Sequence, residues 1–505
     1  MSDGRWLGVD IGTGSSKGVI VDSDGRILAQ ADRKHDVDRP APGYAEMPLE
    51  TWWREFVELS RELLESSPGP IDGVGVSGMG PVVGLLDEHD TPVRSAILYG
   101  VDTRAVEQIA HQRGQLGEAA VLERCGSALS TQAVGPKVQW IAEHEPDAMR
   151  RARRLVMASS WLVLRLTGEY VLDHHSASQA VPLYDTDAEQ WALDWAELLA
   201  PGIRLPRLLW SGEPAGSVTA SAAAATGIAV GTPVVCGSVD AWAEAHSAHA
   251  LDVGDLMLMY GSTMFLIATT GERITVPELW STQGLAPSLR CLAGGMAASG
   301  AITDWLRRLT GIDDFAELSR LAAAAGPGAR GLLVLPYFAG ERTPIADPHA
   351  RGVIAGLRLD TEIGDLHRAV LESIAFGVRH NIEVLEHAGA ECSRITAVGG
   401  GTTGQLWTSI VSDVTGRAQR VPTLTIGASL GAARLAAAGS GADTSQWNRG
   451  GDLIEPDPAL RNLYDDRYAL YRTLYTQTAP VVHSLAGIAP ADARRITDAP
   501  HASAR

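Results

Sequence analysis

A chain of 505 residues, 45% hydrophobic and 20% charged, has length for two large domains and enough apolar residues for a sizeable core, which excludes wholesale disorder. Its 42 Lys and Arg against 60 Asp and Glu leave a formal charge of −18, the opposite of the basic face that a nucleic-acid binder needs. No apolar run approaches the roughly 18 residues of a membrane span, the N-terminus lacks the pattern of a secretory signal, and four scattered cysteines without C-x-x-C point to neither a zinc site nor a disulfide scaffold. A soluble, cytoplasmic protein is expected.

The chain opens on a hairpin: apolar residues 6–9, small residues 12–16, then a second apolar run at 18–21. Apolar residues at three-to-four spacing (Trp52, Trp53, Phe56, Val57, Leu63, Leu64) predict a helix over 51–66, and 73–76 reads as a strand. After the β-like run 232–235, Asp240 falls at the start of a helix, a place that suits an N-cap Asp as well as a catalytic carboxylate. His246 and His249 on that helix do not form a metal motif. Residues 256–259, the turn Tyr260-Gly261-Ser262-Thr263 and residues 264–267 repeat the strand–turn–strand plan about half a chain after the first. Two domains on one plan are therefore expected, over 1–249 and 250–487, with a flexible tail at 488–505. Further strands at 332–335 and 395–398 and a long helix over 362–387 complete an α/β pattern, and the Ala/Gly-rich runs read as small-residue helices and loops.

Two glycine-rich turns suit phosphate. In the first, Gly12, Thr13, Gly14, Ser15, Ser16 and Lys17 offer successive backbone N–H groups, hydroxyls and a charge to one anion, and Asp10 could hold magnesium through water; a plain tight hairpin with a capping Asp fits the same residues. It is neither a Walker loop nor a dinucleotide fingerprint, because the glycines are misspaced and a strand follows. The second, Gly399-Gly400-Gly401-Thr402-Thr403-Gly404-Gln405, enters a helix that Thr402 or Thr403 can cap. Gly399, Gly401 and Gly404 satisfy G-x-G-x-x-G, but no acidic residue lies about 20 positions on; Arg417 and Arg420 leave an NADP-dependent dehydrogenase as a competing reading.

Taken together these motifs resemble the FGGY carbohydrate kinases, ATP-dependent enzymes of the actin-like ATPase superfamily. Residues 9–18 resemble the family's first phosphate hairpin and 260–263 its second. Gly43-Tyr44-Ala45-Glu46-Met47-Pro48 with Trp52-Trp53, the Gly300-to-Leu306 helix start, and Gly352 through Glu372 resemble further family segments, the last being the most specific, with Pro336 to Pro344 similarly typical. Lys137 to His144 fits the N-terminal signature, whereas Gln132 and Val134 depart from it.

The resemblance implies two ribonuclease-H-like α/β domains flanking a catalytic cleft. It implies Asp240 as the general base, ATP held by the two hairpins, Gly300, Gly399, Gly400, Gly401, Thr402 and Gln405, and Mg2+ near Asp10. Sugar contacts would come from Met79, Gly80, Asp102, Arg104 and Asp240. Gly80 stands where xylulokinases have His, and Ala241 where they have Asn. The expected substrate is a ketopentose such as D-xylulose or a ribulose; the alternatives are a polyol or other short ketose (erythritol, glycerol, a tetrulose) and a non-catalytic sugar-responsive protein on the same fold. The expected partners are the sugar and ATP, with no nucleic acid or membrane, and a homodimer is compatible.

Overall fold

Two mixed sheets organise the chain in the computed structural model, which describes residues 4–487. The expectation of a frayed tail at 488–505 lies outside the described residues. The first sheet is built from β1 (Trp6–Ile11), β2 (Ser15–Val21), β3 (Ile27–Lys34), β4 (Gly73–Gly78), β5 (Pro214–Ser217), β6 (Pro233–Val235) and β7 (Ser238–Val239), with α1 (Leu49–Ser66) and α2 (Asp240–Ser247) beside it. The second is built from β8 (Asp255–Tyr260), β9 (Met264–Thr270), β10 (Trp280–Gln283), β11 (Arg290–Met296), β12 (Arg394–Val398), β13 (Gln419–Pro422) and β14 (Gly451–Ile454). With it go α3 (Gly300–Thr310), α4 (Ile363–His387), α5 (Gln405–Thr415) and α7 (Arg461–Ala486), while α6 (Ala428–Gly439), between the last two in the chain, packs elsewhere.

The sheets share one plan. The first runs β3-β2-β1-β4-β6-β5 and the second β11-β9-β8-β12-β13-β14, and in both the successive pairings are antiparallel, antiparallel, parallel, parallel, antiparallel. An extra edge strand, β10, sits on β11, and β7 pairs with the end of β4.

Alternation along β1 divides its side chains between two layers. Leu7, Val9 and Ile11 join the core under α1, where Trp52, Trp53, Phe56, Leu59 and Leu63 are buried, while Trp6 packs with Val19, Val21 and the apolar residues of α6. Helix α6 lies so close to the sheet that a Cβ on Gly8 would overlap the Ser429 carbonyl and one on Gly75 that of Ala432. Only glycine on the strands and small residues on the helix permit this approach, which is the physical content of the Ala/Gly-rich run. Although α6 comes from late in the chain, it packs on β1 and β4 of the first sheet.

Helix α4 carries Val370, Ile374, Val378, Ile382 and Leu385 into the second core. The predicted helices over 51–66 and 362–387 differ from α1 and α4 only at their starts. The four cysteines are free and buried. Among the described residues no helix is long and apolar enough to cross a membrane.

Candidate active site

Asp10 ends the row of β1 residues that faces α6, and its neighbour in register, Ser77 on β4, donates its hydroxyl to one Asp10 oxygen at 2.9 Å. The other oxygen accepts no hydrogen bond among the described residues. Burial and the nearby Asp240 carboxylate push the Asp10 carboxyl up to about 8, with Ser77 and Lys17 pulling the other way. Burial alone raises Asp240 to about 6, while burial and the Asp240 charge raise Glu244, one helical turn further along α2, to about 7. These carboxylates share too little solvent for all to be ionised near neutrality in the absence of a cation, so Asp10 and Asp240 titrate as a pair.

The first turn closes through a bond from the Gly12 N–H to the Ser15 carbonyl at 3.0 Å, so Ser15, Ser16 and Lys17 belong to β2 and not to the turn. Strand alternation sends Ser16 to the α1 side, where its hydroxyl donates to Glu55 at 2.6 Å. That corrects the expectation that Ser16 presents a hydroxyl to phosphate. Gly12, Thr13 and Gly14 remain as the tip, with Thr13 Oγ1 bonded to the Tyr99 hydroxyl at 2.9 Å.

Asp240 is the first residue of α2, and the N-cap position belongs to Val239. Its carboxylate accepts the Ala241 N–H at 2.8 Å and faces a cavity of about 180 Å³. Gly80, Tyr99, Gln132, Gln179, Thr263 and Arg342 line this cavity together with an aromatic wall of Trp242, Phe265 and Trp280. Polar groups set against aromatic rings, in a volume below the roughly 300–1,000 Å³ of drug-sized sites, suit one small polyhydroxylated molecule.

A second cavity, of about 720 Å³, lies beyond the 261–263 turn. Gly261 and Ser262 line it while Thr263 lines the first, so this turn is the wall between the two. The turn closes as the first one does, with the Gly261 N–H donating to the Thr263 carbonyl at 3.1 Å. Gly300, at the start of α3, donates its N–H to the Gly261 carbonyl at 3.0 Å. Gly400, Gly401, Thr403 and Gly404 border the same space, with Thr303, Asp304 and Phe315 opposite. A 3-10 turn intervenes before α5, which is why Thr402 and Thr403 do not cap it; their hydroxyls donate back to the Gly399 and Gly400 carbonyls, both at 2.8 Å. Gly399, Thr402 and Gln405 do not line the cavity.

Two expected sugar contacts fall elsewhere. Asp102 and Arg104 are fully buried side chains paired with one another at 2.7 Å; Arg104 also binds Glu46 at 2.6 Å and Asp102 accepts the Ala45 N–H at 2.6 Å. The Arg104 guanidinium lies 4.0 Å from the Tyr44 ring centre. Both side chains are enclosed in this clamp on residues 44–46, and neither borders the cavity. Met79 is buried in the first core and does not border the cavity, whereas Gly80 does. Sequence reasoning missed Tyr99, Gln132 and Arg342. Tyr99 stands three residues before Asp102, Arg342 sits inside the 336–344 segment, and Gln132 showed itself only as a departure from a signature.

Both ring nitrogens of His249 are engaged: Nε2 donates to the Trp447 carbonyl, and Nδ1 accepts from Arg434 at 3.0 Å. Among the described residues no group of three or more His, Cys, Asp or Glu converges on a metal position.

The model of the FGGY family of carbohydrate kinases, N-terminal domain, matches residues 5–245, and that of the C-terminal domain matches residues 256–440. Xylulose kinase of Escherichia coli (strain K12) is 27% identical over 94% of this chain and 100% of its own. Glycerol kinase of Nocardia farcinica (strain IFM 10152) is 32% identical over 80% of this chain and 84% of its own. The crystal structure of xylulose kinase from Rhodospirillum rubrum superposes with a TM-score of 0.88 at 32% identity, covering 95% of this chain and 100% of that one.

Proposed function

The chain belongs to the FGGY family of carbohydrate kinases and is an ATP-dependent sugar kinase, and from that premise we propose that it transfers the γ-phosphoryl group of ATP to a hydroxyl of a ketopentose such as D-xylulose or a ribulose. One observation carries the reading: Asp240 lines a small cavity together with Thr263, which belongs to the turn that also borders the larger cavity. A sugar in the first cavity and a triphosphate in the second would meet at that turn. The larger cavity, with its glycine-rich rim of 400–404, is assigned to the nucleotide.

In this account Asp240 accepts the proton of the attacking hydroxyl, a role worth on the order of 10²–10⁴ in rate. Its raised pKa, about 6, keeps it ionised at neutral pH yet more basic than an exposed aspartate. Tyr99, Gln132 and Gln179 orient the sugar, and the aromatic wall excludes water that would otherwise take the phosphoryl group. Gly12–14 and 261–263 would cradle the phosphates with backbone N–H groups, leaving most of catalysis to positioning and charge neutralisation.

Magnesium fits the residues present. Asp10 offers a carboxylate oxygen without a hydrogen-bond partner, and a hard cation held by one or two carboxylates and substrate phosphates needs no all-protein cage. The ion would neutralise phosphate charge when bound.

A second reading, a polyol or shorter ketose as acceptor, is favoured by the 32% identity to a protein named glycerol kinase and by Gly80, which leaves the cavity without a side chain there. The test is ADP release with ATP, magnesium and a panel of ketopentoses, ketohexoses, tetruloses, alditols and glycerol. The highest kcat/KM should fall on a ketopentose; highest turnover of glycerol or an alditol would establish the second reading, and no acceptor-dependent release would refute both.

A further inference from the structure

Helix α1 carries an acid on its apolar side. Glu55 is buried among tryptophans and leucines, with a side chain only 5% exposed, and its partners explain why it is there. It accepts the Ser16 hydroxyl at 2.6 Å and stands 2.8 Å from His35 Nδ1. The other ring nitrogen of His35, Nε2, lies 3.0 Å from the Gly12 carbonyl oxygen. The backbone N–H of His35 donates to the Gly14 carbonyl at 3.2 Å. One residue, its side chain 6% exposed, thus grips both ends of the first turn tip.

The two ring contacts fix the charge. A carboxylate and a backbone carbonyl are acceptors only, so both imidazole nitrogens must carry hydrogen, and a doubly protonated imidazole is a cation. We propose that His35 is a positioning residue for phosphoryl transfer: as a buried imidazolium braced by Glu55, it holds the 12–14 turn in the shape that receives the phosphates of ATP. This rests on the kinase reading above for the turn's ligand, but not for the charge of His35.

The charged groups around the ring are few. Glu55 faces it from α1; Arg54, on the same helix, reaches Glu55 at 3.8 Å. Glu58 and Glu62 on α1 are engaged by Arg33 of β3, and Ser16 is the polar neighbour on β2. The hydrogen bond to Glu55 raises the His35 pKa above its ordinary value, against the opposing effect of burial, and Glu55 is held below its own. For a group raised in this way the grip is complete below the ordinary histidine range and is lost as pH rises through the raised value.

Glu55→Gln keeps the shape of the pair and removes the charge that holds the second proton. The first readout is the ¹⁵N spectrum of histidine-labelled full-length protein without ligands. His35, identified by its loss in His35→Gln, should show two protonated nitrogens at pH 7 in the wild type and one in Glu55→Gln. The second is kinetic: Glu55→Gln should lower kcat/KM for ATP at least about tenfold at pH 7.5, leave the sugar KM within about twofold, and move the alkaline fall of kcat/KM for ATP to lower pH by about a unit or more. Glu55→Asp, which keeps the charge, should recover part of the loss. A neutral His35 in the wild type at pH 7 would overturn the proposal, as would a Glu55→Gln profile superposable on the wild type. A wild-type protein that turns over no acceptor would refute the kinase reading, and the spectrum would still decide the charge of His35.

Discussion

Asp240→Asn isolates proton transfer from everything else at the site. Asparagine matches the aspartate in size and keeps an oxygen for the Ala241 N–H, so the 2.8 Å bond and the start of α2 should survive. What disappears is the ability to take the hydroxyl proton, and turnover should fall by at least about 10²-fold, or roughly 2.7 kcal/mol of transition-state stabilisation. The wild-type pH profile gives a second, independent magnitude. With the Asp240 carboxyl raised to about 6 by burial, only about a tenth of the free enzyme carries the ionised base at pH 5. The raised pKa means that protonation occurs at a higher pH than for an exposed aspartate, so the acid loss of kcat/KM for the sugar should begin below about pH 6.5. Coupled ADP release from pH 4.5 to 8, at saturating ATP and magnesium and with folding checked by circular dichroism, measures both. The residual activity of Asp240→Asn should lack that acid limb. A folded variant that keeps more than about a tenth of the wild-type rate when chemistry limits turnover would refute the assignment of the base.

Gly300→Ala should act on the nucleotide side, because a Cβ there would stand 2.6 Å from the Gly261 carbonyl oxygen and push on the second turn; KM for ATP should rise several-fold while the sugar KM holds, and equal KM values for ATP would disconnect Gly300 from the site. Gly80→His alone would press its Cβ to 2.8 Å from Val239 Cγ2, so it should be combined with Val239→Ala; the pair should raise relative kcat/KM for D-xylulose, and an unchanged ranking across the acceptor panel would show that position 80 does not select the sugar. Sugar together with a non-hydrolysable ATP analogue should lower the radius of gyration in small-angle scattering more than either alone, since the two cavities share the 261–263 turn; an unchanged radius with both bound would mean a preformed cleft.

Local patterns carried most of the fold into view. Helices α1 and α4 and the strands β1, β4, β6 and β12 follow from apolar spacing, and the two hairpins were legible as a repeat because small-residue turns between apolar strands recur. Direction and partnership were not. Ser16 stands among phosphate-friendly residues but points to α1, because the turn ends at Gly14 and alternation begins at Ser15. Asp102 and Arg104 resemble sugar contacts by position, but they pair with one another, and Arg104 with Glu46 more than fifty residues earlier, in an enclosed clamp. Glu55 interrupts an otherwise apolar helix face, and only the fold brings His35 to it. Tyr99 enters the site through Thr13, a contact between residues 86 positions apart that no spacing rule encodes.

In the proposed reaction a ketopentose hydroxyl, facing Asp240, receives the γ-phosphoryl group. ³¹P NMR of the full-length protein with ATP, magnesium and D-xylulose or a ribulose follows that transfer at the phosphorus itself. A phosphomonoester resonance coupled to sugar protons should grow in step with ADP and be lost in Asp240→Asn. ATP converted to ADP and inorganic phosphate without that resonance, or no consumption of ATP with any ketopentose, would refute phosphoryl transfer to a ketopentose.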